Sequence, residues 1–102
     1  MTPLEGANWS LIPEHMHDAV RGYILEGWRP GDFLRAVLSN NLKEAVGRAD
    51  EENQRALVGW VRFLYNYAPG PCWGTPERVD EWMAQGGYEG LVAADVAEAQ
   101  AS

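Results

Sequence analysis

The 102-residue chain predicts an all-α fold, a compact orthogonal bundle of about five short helices around a central one, and three observations carry the prediction. Apolar residues recur at helical spacing in successive segments. Each segment is bounded by residues that start or stop helices. No run alternates apolar and polar residues as a half-buried strand would.

Residues 1–12 have no sustained period and contain Pro3 and Gly6, so they read as an N-terminal arm, pinned at Trp9. Pro13 suits the first turn of a helix, where its missing N–H has no partner to lose. Over 14–26 an ideal helix sets Met16, Ala19, Val20, Tyr23 and Ile24 on one arc of about 140°, and Gly27 is a natural stop. After the turn at 28–31, Phe33, Leu34, Val37 and Leu38 share a face of a short helix over 32–40. The cap-forming run Ser39-Asn40-Asn41 predicts a break. Behind it, Leu42, Ala45, Val46 and Ala49 form an apolar stripe.

Asp50-Glu51-Glu52 places negative charge at the start of the next helix, which is expected to run unbroken to Ala68 before Pro69. Nine apolar residues of that helix (Leu57, Val58, Trp60, Val61, Phe63, Leu64, Tyr65, Tyr67 and Ala68) cover about 220° of its girth. A surface helix needs only about 100°. This segment is therefore expected to be central, with neighbours on at least two sides. Its polar stripe is narrow: Arg55, Gly59, Arg62 and Asn66.

Residues 69–74 form a Pro- and Gly-rich loop. Thr75-Pro76-Glu77 reads as cap, first position and acidic first turn of a helix with Val79, Trp82 and Met83 inside, ended by Gly86-Gly87. The helical domain thus spans 13–87. Residues 88–102 form an Ala- and acid-rich tail with good helix propensity but a weak apolar face at Leu91, Val92 and Val96, expected to be helical or frayed, or ordered only against a partner.

Composition limits the functional classes. Apolar residues make up 46% of the chain, enough for one core without staples. The net charge of −7 is uneven: nine acids face seven bases over 1–69, but six face one, Arg78, over 70–102. That balance opposes binding of nucleic acid or anionic membrane through bulk charge. A single cysteine, Cys72, permits no intrachain disulfide, and no stretch approaches the roughly 18 apolar residues of a membrane span. A cytoplasmic protein is expected, with no cofactor and no membrane contact.

The segments Gly31-Asp32-Phe33-Leu34-Arg35-Ala36-Val37-Leu38-Ser39-Asn40, Arg48-Ala49-Asp50 followed by Asn53, Phe63-Leu64-Tyr65-Asn66-Tyr67-Ala68-Pro69 and Trp73-Gly74 resemble a family of short uncharacterised proteins of tailed phages and prophages. The resemblance covers about 13–83. It implies a phage setting, in the cytoplasm of a bacterial host, and brings no catalytic residues. The arm and the tail fall outside it.

Five features invite a chemical reading, and each has a plainer one. His15 and His17 could ligate a metal, but they project about 160° apart on a regular helix and cannot grip one ion. Cys72 could be a nucleophile if a base lowered its pKa; the alternative is a buried thiol beside Trp73. Asp50-Glu51-Glu52 could mimic the phosphates of DNA, yet capping and the helix dipole already explain three acids there. Arg55 and Arg62, seven residues apart with Gly59 exposing backbone between them, could form an anion-binding face with Asn66, enlarged by Arg48 and Asn53; the alternative is a solvated face with surface ion pairs. Trp9, Trp28 and Trp73 lie in expected loops, as plugs at the core edge or, with Tyr88, as anchors of a protein interface.

These readings leave three functions in order of preference. The first is a non-enzymatic interaction protein that modulates or inhibits a host or phage protein. The second is a binder of a small anionic, phosphorylated or nucleotide-like ligand. The third, a DNA-binding regulator, lacks a helix with clustered bases. A homodimer through the wide apolar arc is compatible with all three.

Overall fold

The structure, a computed structural model, describes residues 3–101; Met1, Thr2 and Ser102, at the ends of the expected arm and tail, lie outside the described residues. It is an all-α bundle with no strand among those residues. The α-helices are α1 (His17–Glu26), α2 (Asp32–Leu38), α3 (Leu42–Arg48), α4 (Glu51–Arg55), α5 (Leu57–Tyr67), α6 (Pro76–Gln85) and α7 (Gly87–Ala101). Short 3-10 turns at Trp9–Leu11, Glu14–Met16 and Gly70–Cys72 connect them.

The expected helix boundaries form for the expected reasons. Asn41, Asp50 and Thr75 each accept a hydrogen bond from the backbone N–H three residues on, satisfying a donor that an open helix start leaves unpaired. Asn40 takes a left-handed conformation (φ 61°), which Asn tolerates better than most residues, and so ends α2 and turns the chain into α3. Gly27 and Gly86 close α1 and α6 in the same left-handed region.

The core is built where these helices meet. Val20, Tyr23 and Ile24 of α1 meet Phe33, Leu34, Val37 and Leu38 of α2, Trp60, Phe63 and Leu64 of α5, and Val79 and Trp82 of α6. Three of its aromatic polar groups are paired across elements. The Tyr23 hydroxyl donates to the Cys72 carbonyl at 2.6 Å. The Trp82 indole N–H reaches the Tyr23 and Ile24 carbonyls at 3.2 and 3.1 Å, in the last turn of α1. Trp60 Nε1 donates to Asn53 Oδ1 at 3.0 Å.

The structure departs from the sequence expectation in four places. The helix expected over 50–68 is broken at Ala56, whose φ and ψ of −92° and 8° leave the helical range. No glycine or proline causes the break. It separates α4, which carries Asn53 inward to Trp60, from α5, which packs against the 3-10 turn at Trp9–Leu11.

Second, α5 is not surrounded. Trp60, Phe63 and Leu64 are fully buried, but Val58, Val61 and Tyr65 are 73%, 50% and 80% exposed. Of the wide apolar arc, Trp60, Phe63 and Leu64 build the core, Leu57, Tyr67 and Ala68 are partly covered, and Val58, Val61 and Tyr65 stay open to solvent among the described residues. Third, the stripe on α3 buries only Ala45; Leu42 and Val46 are exposed.

Fourth, the arm is part of the core, because Leu4 and Ile12 are buried in it. The tail, by contrast, is a regular helix. Its root rests on α1 and α6, while residues 91–100 are all exposed.

Candidate functional site

The unpaired half of α5 forms one wall of a groove of about 570 Å³. Leu57, Val61, Tyr65 and Ala68 supply that wall, Leu42 and Ala45 of α3 the facing one, and Val37, Asn40 and Asn41 join the two near the α2–α3 turn. Gly70, Trp73, Gly74 and Arg78 close the remaining side. Local chemistry holds this shape. The Gly74 N–H donates to the Leu38 carbonyl at 2.7 Å, tying the 69–74 loop to the end of α2. Arg78 Nη1 donates to the Trp73 carbonyl at 3.3 Å, and the Arg78 N–H is capped by Thr75 Oγ1 at 3.1 Å.

The groove is apolar with a few polar groups at its edge: the side chains of Asn40 and Asn41, the Tyr65 hydroxyl, and Arg78. Arg78 is the one charged residue in the lining, and no carboxylate pairs with it among the described residues. Such a surface binds by apolar burial and uses its polar groups for orientation.

The expected anion face is not assembled. Asn53 is 3% exposed, with its side-chain carbonyl committed to Trp60. Gly59 does not offer open backbone to a ligand on that face: the chain at Leu11 crosses it so closely that a Cβ would collide with the Leu11 carbonyl oxygen. Arg48 lies elsewhere, in a smaller polar pocket with Arg35, and pairs with Asp32 and Glu44 at 3.3 Å each. Arg55 faces Glu51 at 3.6 Å on its own helix, and Asn66 Nδ2 donates to the Arg62 carbonyl at 2.8 Å. The glycine serves close packing of the N-terminal arm, and the row of guanidinium groups is divided by it.

The four aromatic anchors separate into distinct roles. The Trp9 ring packs on Phe63 and His17, with centroids 4.9 and 5.0 Å apart, under the Arg21 guanidinium at 4.6 Å. It therefore plugs the core edge. Tyr88 packs against the core at the root of α7. Trp28 is exposed on one face and lies flat over Gly22 on the other. Trp73 alone enters the groove.

His15 and His17 engage different partners: His15 Nε2 is 3.0 Å from Asp50 Oδ2, and His17 Nε2 is 3.0 Å from the Ile12 carbonyl oxygen. The Asp50 carboxyl is held below the ordinary carboxylate value, first by the Asn53 N–H and then by His15. Cys72 is fully buried, and burial pushes its thiol up to about 12, so thiolate, the nucleophilic form, is scarce at neutral pH. Among the described residues, no helix is long and apolar enough to cross a membrane.

Leu42, Val61, Tyr65 and Arg78 were not singled out from the sequence as site residues. The available signal was the width of the α5 arc: more apolar girth than one core can use leaves a second face. Compared with protein-family models, curated proteins and solved structures, the chain matches none.

Proposed function

We propose that this chain is a non-enzymatic interaction protein that takes an apolar helical segment of a partner protein into the groove along α5. The observation that supports this most is the exposure of Val61 and Tyr65 beside Leu42 and Trp73. Contiguous exposed apolar surface on a small domain marks a binding surface more often than chance, and a groove between helices suits an amphipathic helix laid along it. Tyr65 and Trp73 are residue types that dominate interface energetics when buried by a partner. The resemblance to short phage proteins makes a host or phage protein the partner of choice, with modulation or inhibition as the outcome of its capture.

Val61→Asp puts a charge in the groove wall without touching the core. Tagged wild type, Val61→Asp and Arg55→Ala are compared for partner capture from bacterial host lysate. The expected result is one protein retained by wild type and Arg55→Ala, and reduced at least about tenfold by Val61→Asp, the loss that about 1.4 kcal/mol brings. Equal retention by all three, or retention of nothing by wild type, contradicts the proposal.

A second reading has its own support. A volume of about 570 Å³ lies within the range of small-molecule pockets, and Arg78 could orient an acidic group on an otherwise apolar ligand. It replaces the nucleotide-like ligand that the divided arginine row would have served. Native mass spectrometry of protein from the same lysate separates the two readings, because a small molecule adds its own mass and a partner adds a chain.

A further inference from the structure

We propose that the groove also accepts α7 of a second copy of this chain, with Asp95 of one copy facing Arg78 of the other. This rests on the groove being a docking surface, as argued above, and names one occupant.

The shape of the molecule supplies the first argument. The radius of gyration is 14.0 Å, against about 12.8 Å for a compact domain of this length. The accessible surface is 6337 Å², against about 5,700 Å² for a compact monomer of this mass. Residues 91–100 of α7 are all exposed and contribute to that excess, and the longest dimension of the molecule is 50 Å. Two copies that each buried an excess of about 600 Å² would share about 1,200 Å², the lower bound of a specific interface.

Charge and pattern supply the second. At about 100° per residue, Leu91, Asp95, Val92 and Val96 fall on one arc of about 140°, with Asp95 inside the apolar strip. The helix carries Glu89, Asp95 and Glu98 and no base. The groove has one charged lining residue, and it is a base, Arg78. An apolar strip with a single acid thus meets an apolar groove with a single base. Ten residues of helix are about 15 Å long, and α7 starts at the opposite end of α6 from Arg78. Reciprocal docking of two such helices closes a two-fold dimer.

Sedimentation equilibrium of the full chain tests this. Wild type is expected at twice the chain mass of 11.3 kDa at high micromolar concentration, dissociating on dilution. Asp95 is exposed, so Asp95→Arg keeps the helical circular dichroism, and it is expected to weaken dimerisation at least about tenfold. Adding Arg78→Asp to Asp95→Arg is expected to restore it. A wild-type chain that sediments at 11.3 kDa up to about 1 mM overturns the inference, as does a dimer indifferent to Asp95→Arg, or one not restored by the double reversal. The groove reading is scored separately: a monomeric chain whose captured partner is still lost with Val61→Asp refutes the dimer alone.

Discussion

Trp60→Ala is expected to lower the free energy of unfolding by about 3–5 kcal/mol, the range for truncating a buried aromatic. Trp60 is fully buried, meets Phe33 edge-on at 5.5 Å between ring centroids, and donates its indole N–H to Asn53. Truncation therefore opens a cavity and leaves the Asn53 carbonyl oxygen buried without a donor. Because single domains are stable by only about 5–15 kcal/mol, the variant will be partly unfolded at physiological temperature if wild type lies near the lower bound. Trp60→Phe separates the two contributions. It keeps most of the ring volume, so its expected loss of about 1–3 kcal/mol reflects mainly the orphaned amide. Urea unfolding followed by circular dichroism measures both. A loss under about 1 kcal/mol for Trp60→Ala would mean that the site is not packed as described.

Trp82→Ala is expected to cost a similar 3–5 kcal/mol or so, with a different local consequence. The Trp82 indole ties the final carbonyls of α1 to α6, and the root of α7 rests on both helices. The Tyr23 carbonyl also accepts from the Gly27 N–H, so the Ile24 carbonyl loses more when the indole is removed. Hydrogen exchange should then show the amides of α7 losing protection beyond what the global loss explains. Trp82→Phe, which retains the ring and loses the donor, should cost about 1–3 kcal/mol. If α7 amides exchange at the same rate in wild type and Trp82→Ala, the tail does not depend on the end of α1.

The elements legible in the sequence are those written in short-range chemistry. The caps at Asn41, Asp50 and Thr75, the stops at Gly27 and Gly86 and the turn at Asn40 each depend on one side chain and a neighbouring backbone group. The elements that escaped reading depend on chain segments remote in sequence. Gln54-Arg55-Ala56-Leu57 contains only good helix formers, so local propensity offers no reason for the break at Ala56. Gly59 lay on the polar stripe and invited an anion, whereas its absent side chain makes room for Leu11, 48 positions earlier.

The candidate site shows the same division. Hydrophobic periodicity located the nine apolar residues over 57–68, and Trp60, Phe63 and Leu64 are buried among them as that pattern requires. Periodicity carries no information on how many neighbours the chain can bring to a helix. The described residues cover one flank of α5 and leave Val61 and Tyr65 open. Trp73 was legible as a loop aromatic, but its place in the groove lining depends on the Gly74 N–H meeting the Leu38 carbonyl, a contact between segments 36 residues apart.

Hydroxyl-radical footprinting of the full chain, diluted until monomeric, bears most directly on whether α5 is half core and half open groove. Tyr65 and Val61 should be oxidised at rates near those of the same residues in unfolded chain, while Trp60 and Phe63, intrinsically reactive aromatics, stay protected until the protein unfolds. Protection of Tyr65 and Val61 equal to that of Trp60 would instead mean that the second face is covered and that no groove exists.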